Sequence, residues 1–196
     1  FLGRQRELVE IGEKLKAARP PFTLTLHGIG GTGKTALLRA ALERFAWRFP
    51  AGVLAVPLEP LPDYASLLGQ LEQFSGLPDD PTLTQAARTA RLLDRLDSQR
   101  ILLALDNFES LNHAREGNDP EKAEQAADLH DFFSQLPARG VALLVTSREP
   151  TGLPGEQRLS VAGLQDEFGA RLFLGLVASR SGDLSPEQAM AISRAV

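Results

Sequence analysis

One run in this sequence places glycines, a lysine and a threonine at fixed positions: GIGGTGKT at residues 28–35. It matches the pattern G-x-x-x-x-G-K-[ST] at every fixed position. The run follows a short β-rich segment at residues 22–27 and precedes a helical pattern at residues 34–49. A strand, a glycine loop and a helix in this order constrain the chain to an α/β fold that contains this βα unit.

The residue types of this loop suit a polyphosphate. Its glycines allow backbone conformations in which successive amides point at phosphate oxygens, and the following helix adds its unpaired amides and positive dipole end. Lys34 is predicted to neutralise the β- and γ-phosphates, and the Thr35 hydroxyl to ligate magnesium. The run therefore predicts a P-loop that binds ATP, or a similar purine triphosphate, with Mg²⁺. The predicted nucleotide-binding residues of the loop are Gly28, Gly30, Gly31, Thr32, Gly33, Lys34, Thr35 and Ala36.

A second apolar strand is predicted at residues 101–105, directly before Asp106. A carboxylate at the carboxyl end of a parallel strand lies at the sheet edge where ligands bind, so Asp106 is predicted as the second magnesium residue. The long separation of Lys34 and Asp106 leaves room for a strand inserted between the two motif strands. Such an insertion marks the ATPase division of P-loop proteins.

Two further residues are candidates for hydrolysis. Asn107 follows Asp106, but an amide cannot act as a base, so Glu109 is the nearest alternative carboxylate. Catalysis and a helix-start role remain open for Glu109. Arg148 follows another apolar strand at residues 141–146, and its guanidinium could reach the γ-phosphate. A surface arginine is the alternative interpretation.

The remaining pattern predicts the architecture. Apolar strands separated by helices indicate a parallel sheet covered on both faces, which is the three-layer P-loop NTPase sandwich with a five-stranded parallel sheet. Beyond Gly163 the pattern is only helical. We expect a nucleotide-binding domain at residues 1–162 and the beginning of a helical lid subdomain at residues 163–196. The five strands are predicted at residues 22–27, 52–58, 101–105, 141–146 and 157–161.

Composition excludes several classes of protein. About 43% of the residues are apolar, which suffices for a sizeable core, and the net charge of −4 argues against a dedicated nucleic-acid surface. There is no cysteine, so disulfides and thiolate metal sites are absent. No apolar run has the length of a membrane helix and no signal peptide is evident, so we expect a cytoplasmic protein without a membrane partner.

Two polar regions are expected to have no role in the site. Arg88, Arg91 and Arg95 line one side of a predicted helix and are interpreted as a solvated face. The polar segment at residues 112–124 is expected to be a mobile loop that leads into the next helix.

These pieces together resemble the STAND class of P-loop ATPases, which includes the NB-ARC and NACHT proteins. The resemblance rests on FLGRQREL at residues 1–8, the P-loop, LLALDNFESL at residues 102–111 and LVTSRE at residues 144–149. It implies a domain that binds ATP or ADP with Mg²⁺, hydrolyses ATP slowly, and switches between closed monomers and assemblies in signalling or transcription regulation. Self-association or effector and sensor domains in the parent protein are the partners implied.

The resemblance also assigns individual residues. Gly3 and Arg4 become candidates for contact with the base, and Arg148 becomes the phosphate sensor. Asn107 departs from the NB-ARC pattern, which usually has a second aspartate there, whereas the spacing from Asp106 to Glu109 is closer to the NACHT arrangement. The family's Gly-x-Pro motif, which contacts adenine from the helical subdomain, is not visible in residues 163–196.

Two other functions remain open. A DNA-remodelling or loader ATPase of the AAA+ type would share the P-loop and the acidic strand, but it should show rapid, DNA-stimulated turnover. A nucleotide-binding scaffold would bind ATP without hydrolysing it, and Asn107 is compatible with that alternative.

Overall fold

The computed structural model describes residues 3–78, 80–97, 99–178 and 184–195. Residues 1 and 2 of the opening segment lie outside these ranges, as do residues 179–183 and 196 of the expected helical subdomain. Within the described ranges, no helix has both the length and the apolar character needed to cross a bilayer.

Five parallel strands form one sheet, as the sequence predicts. They are β1 (Thr23–His27), β2 (Val53–Pro57), β3 (Leu102–Asp106), β4 (Ala142–Ser147) and β5 (Glu156–Ser160). Their order across the sheet is β2-β3-β4-β1-β5, and every neighbouring pair is parallel. Strand β4 therefore lies between β1 and β3, which confirms the inserted strand inferred from the separation of Lys34 and Asp106.

Eight α-helices accompany the strands in the described part of the chain: α1 (Gln5–Ala17), α2 (Lys34–Phe45), α3 (Tyr64–Ser75), α4 (Gln85–Asp97), α5 (Glu109–Arg115), α6 (Pro120–Gln135), α7 (Asp166–Ala178) and α8 (Pro186–Ala195). A 3-10 turn at Ala46–Arg48 follows α2, so this helix is shorter than its apolar pattern predicts. Helices α7 and α8 pack against each other after the last strand. The boundary near Gly163 remains a prediction.

The sheet divides the core into two layers. Successive residues of a strand point to opposite faces, so Leu102 and Leu144 lie with helices α1 and α2, whereas Leu103 and Leu143 lie with helices α3 to α6. All four leucines are at most 1% exposed. This confirms the three-layer sandwich and explains why the central strands β3 and β4 have apolar runs without alternation.

Two expectations about polar segments were wrong. The segment expected as a loop contains the end of α5, since this seven-residue helix runs to Arg115. The expected solvated face includes two arginines that pair with Glu72 on α3: Arg88 makes a short contact, and Arg91 lies 3.0 Å away. Because the side chain of Glu72 is only 3% exposed, these ion pairs hold α3 and α4 together.

We expect Glu72→Ala to lower the free energy of unfolding by about 2 kcal/mol at neutral pH, because two guanidinium groups lose a buried charged acceptor. Hydrogen bonding from Arg88 is the largest influence on the pKa of Glu72; burial opposes it, and the net effect holds this pKa below its usual value. The difference from wild type should therefore shrink as the pH falls through the folded-state pKa of Glu72.

Chemical denaturation across a pH series would measure this difference. Asp94→Ala is the matched control, since Asp94 pairs with Arg139 at an exposed position and should contribute little. Equal effects of the two substitutions would contradict the assignment.

Candidate nucleotide site

The phosphate loop joins β1 to α2 with the backbone that its glycines permit. Gly31 and Gly33 have φ values of +79° and +86°, in the left-handed region, and Gly33 is the N-cap of α2. The hydroxyl of Thr32 donates to the carbonyl of Ile29 at 3.0 Å, which closes the loop on itself. The first turn of α2, with Thr35 and Ala36, opens directly onto this loop.

Lys34 lies within the loop it is predicted to serve. It is 7% exposed, and its ammonium donates to the carbonyls of Gly28 and Ile29 at 2.8 and 2.9 Å. Burial is the largest influence on the pKa of Lys34 and lowers it below the ordinary value; Glu109 opposes this shift. The charge is therefore held by two neutral oxygens, which a phosphate group could replace with a stronger acceptor.

Thr35 and Asp106 lie next to each other at the sheet edge, and their role as a magnesium pair stays a prediction. The Thr35 hydroxyl donates to Asp106 Oδ1 at 2.9 Å. Since a hydroxyl has a single proton, this bond leaves the oxygen lone pairs of Thr35 available to a cation. Oxygen donors of this kind fit Mg²⁺, which takes one or two protein ligands and completes its shell with water and phosphate. The described residues contain no cluster of three or more histidine, cysteine, aspartate or glutamate residues at metal-binding distances.

Glu109 and Arg148 form an ion pair at the same edge. Arg148 Nε lies 3.0 Å from Glu109 Oε1, and the backbone amide of Arg148 donates to Glu109 Oε2 at 3.3 Å. The Glu109 side chain is only 7% exposed, whereas that of Arg148 is 61% exposed. The guanidinium lies over the phosphate loop, because a Cβ added at Gly30 would be 3.4 Å from Arg148 Cζ. Glu109 also opens α5, so the helix-start interpretation describes its position as well.

Gly3 and Arg4 lie beside the loop and the start of α7. Arg4 is 4% exposed, and its guanidinium donates to the carbonyls of Thr32 and Ala162 at 2.7 and 2.6 Å and to Glu7 at 2.6 Å. A Cβ added at Gly3, whose φ is +74°, would lie 2.7 Å from the ring of Phe168. In this arrangement the Arg4 guanidinium connects the loop to the segment before α7, and base contact by Gly3 and Arg4 remains a prediction.

A cavity of about 390 Å³ joins most of the predicted residues. It is lined by Gly30, Gly31, Gly33, Lys34, Thr35, Ala36, Arg39, Asn107, Glu109 and Arg148. Arg39 was not predicted as a site residue, although its position four residues after Thr35 places both on one helix face. Gly28 and Asp106 are hydrogen-bonded to the lining residues Lys34 and Thr35, and Thr32 lies between the lining residues Gly31 and Gly33, but none of the three lines the cavity itself.

Sequence comparison identifies the family of this fold. The AAA domain family matches residues 21–148, which is more than half of the chain. An uncharacterized WD repeat-containing protein of Nostoc sp. is 30% identical over 193 residues. That alignment covers 88% of this chain but only 15% of the Nostoc protein, so this chain corresponds to a small part of that relative.

Three solved structures share the fold at low sequence identity. Cdc6p from Pyrobaculum aerophilum has a TM-score of 0.64 and 17% identity, and the match covers 98% of this chain and 54% of Cdc6p. A STAND protein with a tetratricopeptide repeat sensor from Pyrococcus horikoshii has a TM-score of 0.56 and 18% identity, with 99% and 28% coverage. The resemblance to STAND-class P-loop ATPases is consistent with these matches. A DNA replication initiation factor also shares the fold, with a TM-score of 0.57, 15% identity and coverage of 99% of this chain and 56% of that protein.

Gly28→Ala tests whether the loop depends on close approach to Val161, the residue directly after β5. An added Cβ at Gly28 would lie 2.4 Å from the backbone oxygen of Val161, so we expect the substitution to lower the free energy of unfolding by about 1–3 kcal/mol. Thermal and denaturant unfolding would measure this loss. Gly163→Ala is the control, because a Cβ there meets no atom within 4 Å. Wild-type stability of Gly28→Ala would contradict the close approach.

Proposed function

We propose that this chain, which belongs to the AAA domain family of P-loop ATPases, is the ATP-binding switch domain of a STAND-type regulatory ATPase. It binds ATP or ADP with Mg²⁺ and hydrolyses ATP slowly, and the bound nucleotide controls conformation and assembly. The observation that carries this proposal is the ion pair between Glu109 and Arg148, both of which line the cavity beside the phosphate loop. Glu109, the candidate base, and Arg148, the candidate phosphate sensor, are thus paired with each other.

The binding step uses groups that already converge. Lys34 moves its ammonium from the carbonyls of Gly28 and Ile29 to the β- and γ-phosphates, which carry full negative charge. Thr35 would hold magnesium through the lone pairs of its hydroxyl oxygen while the hydroxyl still donates its hydrogen bond to Asp106 Oδ1. When bound, magnesium neutralises charge on the phosphate oxygens.

The hydrolytic step requires the ion pair to separate. Arg148 turns to the γ-phosphate, for which its exposed guanidinium has the matching geometry. Glu109 is then free to accept a proton from water as the water oxygen bonds to the γ-phosphorus and the bond to the bridging oxygen breaks, giving ADP and phosphate. Because both groups must first leave a stable contact, slow turnover is the expected behaviour.

The switch also needs an element that moves. The segment after β5 leads into α7 and α8, and Arg4 connects the carbonyl of Thr32 in the loop to that of Ala162. Nucleotide states that bind two orientations of this helical lid with different affinity would shift its population. We propose residues 163–196 as the beginning of that lid, Gly3 and Arg4 as base-proximal residues, and sensor or effector domains in a cytoplasmic parent protein as the partners.

Lys34→Ala is expected to weaken binding of Mg-ATP by at least about 100-fold, because the phosphates lose a charge-assisted contact of about 3 kcal/mol. Calorimetry on the intact protein would measure the loss. Lys16→Ala, at an exposed position on α1, is the matched control and should bind like wild type. If wild type and Lys34→Ala bind equally, or neither binds, the nucleotide-binding proposal fails.

Glu109→Gln should bind Mg-ATP at least as tightly as wild type, because Arg148 no longer has to leave a charged partner. It should release phosphate at least about 100-fold more slowly, since the amide cannot accept the proton. Phosphate release followed over hours measures this difference. Rapid turnover stimulated by DNA would favour a loader ATPase of the AAA+ type. Binding without turnover above background in wild type would favour a scaffold.

A further inference from the structure

We propose that Thr146 is a positioning residue that sets both the magnesium-binding and the hydrolytic carboxylates of this site. Thr146 lies at the end of β4, between the strand of the phosphate loop and the strand of Asp106, and it is 0% exposed. The inference rests on the proposed nucleotide function and extends it to a residue outside the cavity lining.

Three consecutive residues of the neighbouring strand end are bonded to this one threonine. The Thr146 hydroxyl donates a short hydrogen bond to Asp106 Oδ1. The same hydroxyl oxygen accepts from the backbone amide of Asn107 at 2.9 Å, and the Thr146 carbonyl accepts from the amide of Phe108 at 2.9 Å. The path of the chain after β3 is thus fixed by the side chain and backbone of Thr146.

The turn at Asn107 needs this support. Its φ of +62° makes it the only non-glycine residue with positive φ in the described part of the chain. Asparagine tolerates the left-handed region better than most residues, but the conformation still requires a surrounding structure that holds it. A hydroxyl that accepts from the Asn107 amide satisfies a donor that would otherwise lose its partner at the turn.

The same bonds orient the two carboxylates. Asp106 Oδ1 accepts from both Thr35 and Thr146, so two hydroxyl protons fix the rotation of this carboxylate and leave its other oxygen for a metal-bound water. Glu109 follows the turn by two residues and is held by the amide and guanidinium of Arg148, two residues after Thr146. Strand β4 therefore holds both acidic groups at defined positions relative to the loop.

Thr146→Val and Thr146→Ser separate this role from simple packing. Valine has nearly the shape of threonine but lacks the hydroxyl, whereas serine keeps the hydroxyl and loses only a methyl group. Calorimetric titration of the intact protein with ATP, once in Mg²⁺ and once in EDTA, gives the factor by which magnesium strengthens nucleotide binding. That factor depends on the position of Asp106, and the affinity in EDTA depends on the phosphate loop.

We expect Thr146→Val to reduce the magnesium factor about tenfold, the effect of losing one hydrogen bond to a charged group, and to leave the affinity in EDTA within about twofold. Thr146→Ser should restore the magnesium factor. The inference would be overturned if the magnesium factor of Thr146→Val equals that of wild type, or if Thr146→Val loses affinity equally in Mg²⁺ and in EDTA. Absence of ATP binding by wild type in both conditions would instead overturn the proposed function, and this inference with it.

Thermal unfolding checks that the variants fold. If Thr146→Val does not fold, the double variant Thr146→Val with Asn107→Gly replaces it, because glycine adopts positive φ without strain. The double variant should still show the reduced magnesium factor, since Asp106 continues to lack the threonine proton. A wild-type factor in the folded double variant would equally overturn the inference.

Discussion

The charge of Lys34 is the constraint around which the site is arranged. Burying an ammonium costs free energy unless it is hydrogen-bonded. Here the carbonyls of Gly28 and Ile29 accept from Lys34, and the loop must turn back on itself to bring them there. That fold requires the left-handed glycines at Gly31 and Gly33 and the start of α2 immediately afterwards. The glycine spacing, the strand before it and the helix after it thus depend on one requirement: a cation kept out of water and available to an anion.

Sheet order brings distant parts of the sequence to this cation. Because β4 lies between β1 and β3, its end is within reach of both the phosphate loop and the acidic strand. Parallel strands place all their carboxyl ends at one edge, so Asp106 and Arg148 arrive beside the loop although many residues separate them in sequence. The two apolar layers keep the strand ends in register, and the site depends on this rigid support.

Much of this arrangement follows from the sequence because local patterns and the fold agree. The bounds of all five strands agree with the predicted ranges to within one residue at each end. At the start of α8, where the sequence SPEQ at residues 185–188 fits a capping box, Ser185 and Gln188 form the two reciprocal bonds of that motif. The pairing of Thr35 with the strand end at Asp106 also follows from motif chemistry and the parallel sheet.

Other features depend on tertiary contacts that no local pattern encodes. Helix α5 is too short and too polar for its periodicity to be recognised. The interaction of Arg88 with Glu72 joins two helices, and Thr146 acquires its partners only because β4 is inserted beside β3. The Arg4 guanidinium likewise contacts Ala162 across nearly the whole length of the chain.

The contact between Glu109 and Arg148 has a consequence for timing. Each group is the other's counterion, so moving either one alone leaves an unpaired charge. The free-energy cost is larger for Glu109, because its carboxylate is buried. Under the proposed function, recognition of the third phosphate and readiness for its removal would therefore arise as one event. A diphosphate offers Arg148 no replacement anion at that position and would leave the ion pair intact. The protein would therefore distinguish ATP from ADP by whether Arg148 exchanges Glu109 for the γ-phosphate.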